Sequence, residues 1–136
     1  MHLKVFYNNI ARINHGIILN YSYINLKYSK YCLQFINFLY INGLISNYIV
    51  KDSIIIVFLK YSKNGTVLKK INLESKISLW RWYRYKRLIS KKSLFLLKYK
   101  QSELNLIILH TSKGFLFFET AYFLGIGGHF VCQIKV

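Results

Sequence analysis

The sequence is poor in acidic side chains, contains no proline and has only two cysteines. Four Asp and Glu stand against twenty Lys and Arg, which gives a formal net charge of +16. Cys32 and Cys132 lie far apart, with no second cysteine or spaced histidine beside either, so we expect reduced core thiols and neither a zinc knuckle nor a disulfide framework. Because proline, Gly/Ser tracts and repeats are absent, the sequence indicates no flexible linker.

The few titratable groups show no arrangement that would support catalysis. The four carboxylates are scattered along the chain, and no two have a spacing that would place them on one face of a helix or strand. The four histidines lack the spacing of metal ligands. We therefore expect no enzyme activity, no metal, no cofactor and no small-molecule substrate.

The excess of positive charge predicts a polyanionic partner. A phosphate backbone releases its counterions when cations bind, so nucleic acid is the leading candidate. A basic, aromatic protein associated with an organellar membrane is the alternative, since 18% of the residues are aromatic. The uncharged stretch 31–50 is long enough to cross a bilayer, but its polar side chains disfavour a membrane span.

The pattern of apolar side chains predicts an α+β fold of two small lobes, residues 1–62 and residues 63–136. In the first lobe, segments with helical spacing alternate with β-rich segments in the order α-β-α-β-β. Its predicted helices and strands cover residues 5–16, 20–26, 29–42, 44–50 and 53–60. The first helix is expected to end near Gly16, and the second to begin at an N-cap, Ser29, and to stop at Asn42-Gly43.

The second lobe is predicted to be mostly β with one short helix. A turn at Asn64-Gly65 opens it. Predicted strands cover residues 66–73, 77–87, 104–109 and 129–136, a loop covers residues 110–114, and the helix covers residues 117–124. Residues 88–100 carry no clear pattern.

Two segments of the second lobe have side chains suited to RNA. In the strand 77–87, cations such as Arg81 and Arg84 alternate with aromatics such as Tyr83, so either face suits RNA, and a solvated edge strand is the alternative. The loop Thr111–Gly114 combines two hydroxyls, one cation and one glycine, which suits base edges, the ribose hydroxyl and phosphate. An ordinary Ser/Thr turn would also explain that loop.

Several segments, taken in order, match a family pattern. The segments are Ile10–Gly16, His110–Gly114, Gly125–Gly128 and Val131-Cys132. They resemble the Leu-Thr-Arg-Ile-Arg-Asn-Gly, Ser-Thr-Ser-Lys-Gly and Gly-x-Gly-Gly-Glu-x-x-Cys segments of the small-subunit ribosomal protein eight family, in its bacterial and organellar form. The resemblance extends over nearly the whole chain and is weakest from Lys86 to Leu104.

The resemblance implies a structural constituent of the small ribosomal subunit. Such a protein would bind the central domain of small-subunit rRNA beside neighbouring ribosomal proteins, and it would help the rRNA to fold and assemble. Thr111 and Ser112 would contact bases and ribose, and Lys113 would contact phosphate. Either Tyr83 or Tyr85 would be the family tyrosine. The full set of expected RNA-binding residues is Thr111, Ser112, Lys113, Gly114, Tyr83, Arg81, Arg84, Arg12, Lys30 and Lys27.

The chain also departs from the family pattern. His110 replaces the first serine of the loop segment, and His129 replaces the glutamate after Gly-Gly. Aromatic side chains stand where the last helix of the family is polar, and we expect the face with Phe118, Tyr122 and Phe123 to pack against an additional, organelle-specific ribosomal protein.

The amino-acid usage indicates an organellar gene. Phe, Tyr, Ile, Asn and Lys are abundant, and Lys is far more frequent than Arg, as A/T-rich codons would produce. The N-terminal residues resemble neither a secretory signal nor an Arg-rich presequence. We expect the mitochondrial matrix as the location, with the plastid as the alternative.

Overall fold

The computed structural model of the chain describes residues 3–73 and 105–136. Contacts divide the chain into two units, residues 1–70 and residues 71–136. The described elements form an α+β fold, with helices and strands in the first unit and mainly strands with one short helix in the second, which confirms the predicted fold class. The predicted strand 77–87, with Arg81, Tyr83 and Arg84, lies outside the described residues.

The first unit has the predicted order α-β-α-β-β, followed by a short hairpin. Its elements are α1 (Leu3–Ile18), β1 (Tyr23–Lys27), α2 (Lys30–Ile41), β2 (Ile45–Lys51), β3 (Ile54–Leu59), β4 (Tyr61–Ser62) and β5 (Gly65–Thr66). The first three strands form an antiparallel sheet in the order β1-β3-β2. The strands β4 and β5 pair separately.

Local signals in the sequence set the ends of α2 and the turn between β2 and β3. The side-chain oxygen of Ser29 accepts a hydrogen bond from the backbone N–H of Cys32 at 3.1 Å, so Ser29 is the N-cap as predicted. The helix ends at Ile41 with Asn42 as its C-cap, and Gly43 follows with φ of 73°. Asp52 has φ of 55° in the hairpin turn, a conformation that Asp tolerates better than most residues.

The first helix is longer than predicted, and Gly16 has a different role. The helix continues to Ile18, and Asn20, with φ of 57°, follows as the left-handed residue. A Cβ atom on Gly16 would lie 2.4 Å from Cδ1 of Ile24. Gly16 therefore permits close packing of α1 on β1, and it does not terminate the helix.

The core of the first unit lies between the sheet and its two helices. Alternate side chains of the central and edge strands are buried, and these are Ile24, Leu26, Ile55, Val57 and Leu59. Complete burial of such a side chain contributes about 1.5–3 kcal/mol. The rings of Phe6 on α1 and Phe35 on α2 meet edge to face, with centroids 5.2 Å apart, which fixes one helix against the other.

The described part of the second unit, residues 71–73 and 105–136, contains a four-stranded sheet whose first strand begins at Lys70. Its elements are β6 (Lys70–Asn72), β7 (Asn105–Thr111), β8 (Gly114–Phe117), α3 (Phe118–Leu124) and β9 (His129–Lys135). The strand order is β6-β9-β7-β8. The helix α3 packs on β7 and β8, and the core beneath it contains Ile107, Leu109, Phe118, Ala121 and Phe130.

Three details of the second lobe were predicted wrongly. The single strand expected over residues 66–73 is broken, because its first part pairs with β4 and its last part pairs with β9 in another sheet. The strand β8 was not predicted at all. The loop expected over residues 110–114 is shorter, since β7 runs to Thr111 and β8 begins at Gly114.

Candidate nucleic-acid interface

The predicted RNA-binding loop is the two-residue turn of the β7–β8 hairpin. Ser112 and Lys113 form the turn, and Thr111 pairs with Gly114 across its base. Gly114 has φ of 91°, and a Cβ atom there would meet nothing within 4 Å. Glycine is thus required by the backbone conformation and not by lack of space.

The hydroxyl group of Thr111 acts inside this turn. The side chain is only 6% exposed. Its Oγ1 donates a hydrogen bond to the carbonyl of Gly114 at 3.0 Å and accepts one from the backbone N–H of Lys113 at 3.1 Å. The only proton of the hydroxyl is therefore used within the protein, and this arrangement fixes the backbone of the turn.

The two exposed side chains of the turn are those of Ser112 and Lys113. The structure thus separates the predicted contacts into a buried hydroxyl that holds the turn and a hydroxyl and ammonium group that face outward. A hydroxyl can donate and accept hydrogen bonds, and an ammonium group attracts phosphate as a point charge. Together they offer the chemistry that RNA backbone and base edges require.

Gly128, the residue directly before β9, lies against the base of the turn. A Cβ atom on Gly128 would lie 2.7 Å from Cγ2 of Thr111 and 2.8 Å from the carbonyl oxygen of His110. No side chain fits at that distance without moving the backbone of β7. The glycine segment before β9 therefore allows close approach to the strand that carries the loop.

In the first unit, Arg12 and Lys27 lie along the contact between α1 and β1. The Nη1 atom of the exposed Arg12 donates to the carbonyl of Asn25 at 3.3 Å. The backbone of Lys27 is held by Asn9, whose Nδ2 donates to the Lys27 carbonyl at 2.9 Å and whose Oδ1 accepts from the Lys27 N–H at 3.1 Å. Asn9 is only 1% exposed, while the Lys27 side chain is exposed.

Lys30 is the exposed first residue of α2, directly after the N-cap. A helix N-terminus carries a partial positive charge, so a lysine at this position increases the local positive potential. Such an arrangement favours an anion near the start of the helix.

A groove of about 670 Å³ opens beside Arg12 in the same unit. Its walls include His15, Tyr21 and Tyr23, and the rings of His15 and Tyr21 meet nearly at right angles with centroids 6.3 Å apart. Aromatic rings next to a guanidinium group can stack with nucleobases.

Fewer aromatic side chains of the last helix are exposed than the sequence predicted. Phe118 is 2% exposed and belongs to the core of its own unit, and Tyr122 packs partly against that core. The expectation that Phe118 contacts another protein is therefore wrong, because this side chain already fills the space between α3 and the sheet. Phe123 is 87% exposed and Leu124 is 51% exposed.

The cysteines lie in the core, as predicted. Both are buried and free. Burial raises the pKa of the Cys132 thiol, and burial also raises the pKa of Cys32, against a smaller opposite effect of its hydrogen bond with Asn9. Both thiols are protonated at neutral pH and hence unreactive.

Two further observations concern only residues 3–73 and 105–136. No three side chains among their His, Cys, Asp and Glu could hold a metal ion. None of their helices is both long enough and apolar enough to span a bilayer.

Asn9 and Gly128 are positioning residues that the sequence did not reveal. An asparagine inside an amphipathic helix gives no sign that it will bind a strand eighteen residues later. Gly128 stood in a run interpreted as a simple turn, and its contact with Thr111 depends on strand pairing.

The family model described as Ribosomal protein S8 matches residues 5–134. The match includes both units and the β7–β8 turn. Among curated proteins, no match was found.

Proposed function

Because the chain belongs to the Ribosomal protein S8 family, as a match over residues 5–134 shows, it is a small-subunit ribosomal protein that binds rRNA, and we propose that its target is the central domain. The family is one of structural ribosomal proteins and not of enzymes. In this proposal the protein binds an irregular helical element of that domain and stabilises its folded form during assembly of the subunit.

The observation that carries this proposal is that the turn at Thr111–Gly114 is ordered by hydrogen bonds within the protein. Its backbone is fixed by the buried Thr111 hydroxyl before any ligand arrives, and two outward side chains are left for contact. A turn whose backbone is ordered in advance avoids the entropy cost of ordering that backbone on binding, which is about 1–2 kcal/mol for each residue fixed. The net charge of +16 supplies the attraction that does not depend on RNA sequence.

The roles within the turn follow from burial. Ser112 contacts a base edge or a ribose hydroxyl, and Lys113 contacts a phosphate. Thr111 acts through the backbone of the turn and is a positioning residue, although the family resemblance implied a direct contact.

The first unit contributes contacts with the RNA backbone in this proposal. Arg12, Lys27 and Lys30 present exposed cations, and Lys27 is held in place through Asn9. Phosphate contacts of this kind position a protein on RNA without reading its sequence.

The organellar origin is also part of the proposal. Its support is the amino-acid usage, which is rich in residues that A/T-rich codons encode. We prefer the mitochondrial ribosome over the plastid ribosome. The exposed Phe123 and Leu124 at the end of α3 would then contact an organelle-specific neighbour.

Sedimentation of a lysate from the source organism tests the proposal. The protein should migrate with the small subunit after detergent treatment and should leave that position when the rRNA is digested. Organelle fractionation before lysis assigns the compartment. If the protein stays with membranes until detergent is added and then migrates alone, the proposal is wrong.

A matched variant tests the role of Phe123. Phe123→Ser should leave the stability of the free protein nearly unchanged, because the ring is 87% exposed, while it weakens retention of the neighbouring protein in the purified subunit. Retention that matches the wild type would contradict a contact at this position.

A further inference from the structure

Two histidines face each other across neighbouring strands at the loop end of the second sheet. His110 on β7 is in register with His129 on β9, and both side chains are half-buried. His110 directly precedes Thr111, so the pair lies beside the turn that we assign to rRNA.

The two histidines share the sheet face opposite α3. Leu109 and Phe130, their neighbours in sequence, lie in the core beneath the helix. Because successive side chains of a strand point to opposite faces, His110 and His129 point away from α3. On the other side of β7, Phe115 is in register with His110, and their ring centroids are 4.7 Å apart.

Among residues 70–73 and 105–136, lysines outnumber acidic side chains. Within residues 105–136, the only carboxylate is Glu119, and it lies on α3 together with Tyr122 at the opposite face. The strand β9 contributes the buried Cys132 thiol and Lys135, β6 contributes Lys70, and β8 carries no titratable side chain. Lys113 lies in the adjacent turn.

Two imidazolium ions on directly opposed strand positions repel each other. The pKa of His110 is lowered from its ordinary value, first by burial and second by His129. In the free protein the pair therefore holds a second proton only with difficulty, whereas an anion placed beside both rings would remove the repulsion.

We propose that His110 and His129 together form a binding site for a phosphate of the rRNA, and that this site takes up a proton when the RNA binds. The inference rests on the proposed function and adds to it a second anchor next to Ser112 and Lys113. It also predicts that the affinity of this chain for rRNA depends on pH in the range where histidine titrates.

The sign of the pH dependence follows from linkage. The free protein has a lowered His110 pKa, and a bound phosphate stabilises the protonated ring and raises that pKa. The affinity should therefore rise as the pH falls through the pKa of the bound state, and it should level off below the pKa of the free state. Uptake of one proton limits the change to about tenfold per pH unit.

The test is the dissociation constant of the full chain for a fragment of small-subunit rRNA, measured at constant ionic strength between about pH 8 and about pH 5. The wild type is compared with His129→Gln, which cannot be protonated, and with His129→Lys, which is charged throughout. Using the same RNA for all three proteins cancels protonation of the RNA itself.

On acidification, the affinity of the wild type should rise more steeply than that of His129→Gln. The difference should be up to about tenfold for each pH unit. His129→Lys should bind tightly at the highest pH and should lose this additional dependence. Circular dichroism checks that each variant is folded, and His110→Gln provides the second test if His129→Gln is not.

Several outcomes would overturn the inference. Equal pH dependence for the wild type and both glutamine variants would exclude proton uptake at the pair. An affinity that depends on added Zn²⁺, is lost with a chelator and does not depend on pH would assign the pair to a metal ion. If the wild type binds the fragment without proton uptake, only this inference fails, and if it binds the fragment at no pH, the proposed function fails as well.

Discussion

Replacing Thr111 by valine tests whether the buried hydroxyl holds the β7–β8 turn. Valine keeps the branched shape of threonine, so the packing of this nearly buried side chain is preserved while both hydrogen bonds of Oγ1 are lost. A typical hydrogen bond contributes about 0.5–1.5 kcal/mol net, so the turn loses about 1–3 kcal/mol of its stabilisation.

Part of this lost stabilisation should weaken RNA binding, because the RNA must then order a turn that is already ordered in the wild type. A cost of about 1.4 kcal/mol weakens the dissociation constant about tenfold. Fluorescence anisotropy with a labelled fragment of small-subunit rRNA measures the change at fixed salt. Thr111→Ser keeps the hydroxyl and is the matched control, which should bind within about threefold of the wild type.

A positioning role also has a signature in the free protein. The N–H of Lys113 donates to Oγ1, so its hydrogen exchange should be faster in Thr111→Val and unchanged in Thr111→Ser. The reasoning is refuted if Thr111→Val binds as tightly as Thr111→Ser. It is refuted equally if binding weakens while the Lys113 amide exchanges at the wild-type rate, because the hydroxyl would then contact RNA directly.

Three further substitutions test other parts of the site. Lys113→Gln should reduce the slope of log affinity against log salt by about one with little change in the choice of RNA, and an unchanged slope would contradict a phosphate contact. Asn9→Ala should lower the free energy of unfolding by about 1–3 kcal/mol in denaturant titrations, because it leaves the N–H and carbonyl of Lys27 without their buried partner. A free energy of unfolding equal to that of the wild type would show that these two hydrogen bonds are dispensable. Gly128→Ala should lower the free energy of unfolding by about 1–3 kcal/mol, because its Cβ would collide with the Thr111 side chain and the His110 backbone. A melting temperature equal to that of the wild type would contradict the close approach.

The elements that the sequence predicted well are those set by local signals. Ser29 caps α2 with a hydrogen bond to a residue three positions away, and Gly43 ends it through its own backbone conformation. The turn expected at Asn64-Gly65 also forms, between β4 and β5. In each case the residues that decide the structure lie within a few positions of one another.

The features that were missed depend on partners distant in sequence. The segment after Thr66 changes sheets because its last residues pair with β9, which no local pattern could indicate. The inward direction of the Thr111 side chain follows from the pairing of β7 and β8. Phe118 is buried because α3 packs with this side chain against the sheet. Residue type thus indicated a candidate RNA-binding segment, while burial determines which of its side chains are exposed.

The central claim is that the excess positive charge and the ordered turn recognise one structured region of small-subunit rRNA. The most direct test is competition at physiological salt, with the full chain bound to a labelled central-domain fragment and displaced by unlabelled central-domain RNA, by a size-matched fragment of another domain, or by anionic lipid vesicles. The account predicts displacement by the central-domain fragment at concentrations at least about a thousandfold lower than by either competitor, in line with specific binding of other nucleic acids. Equal displacement by the unrelated RNA or by the vesicles would contradict it.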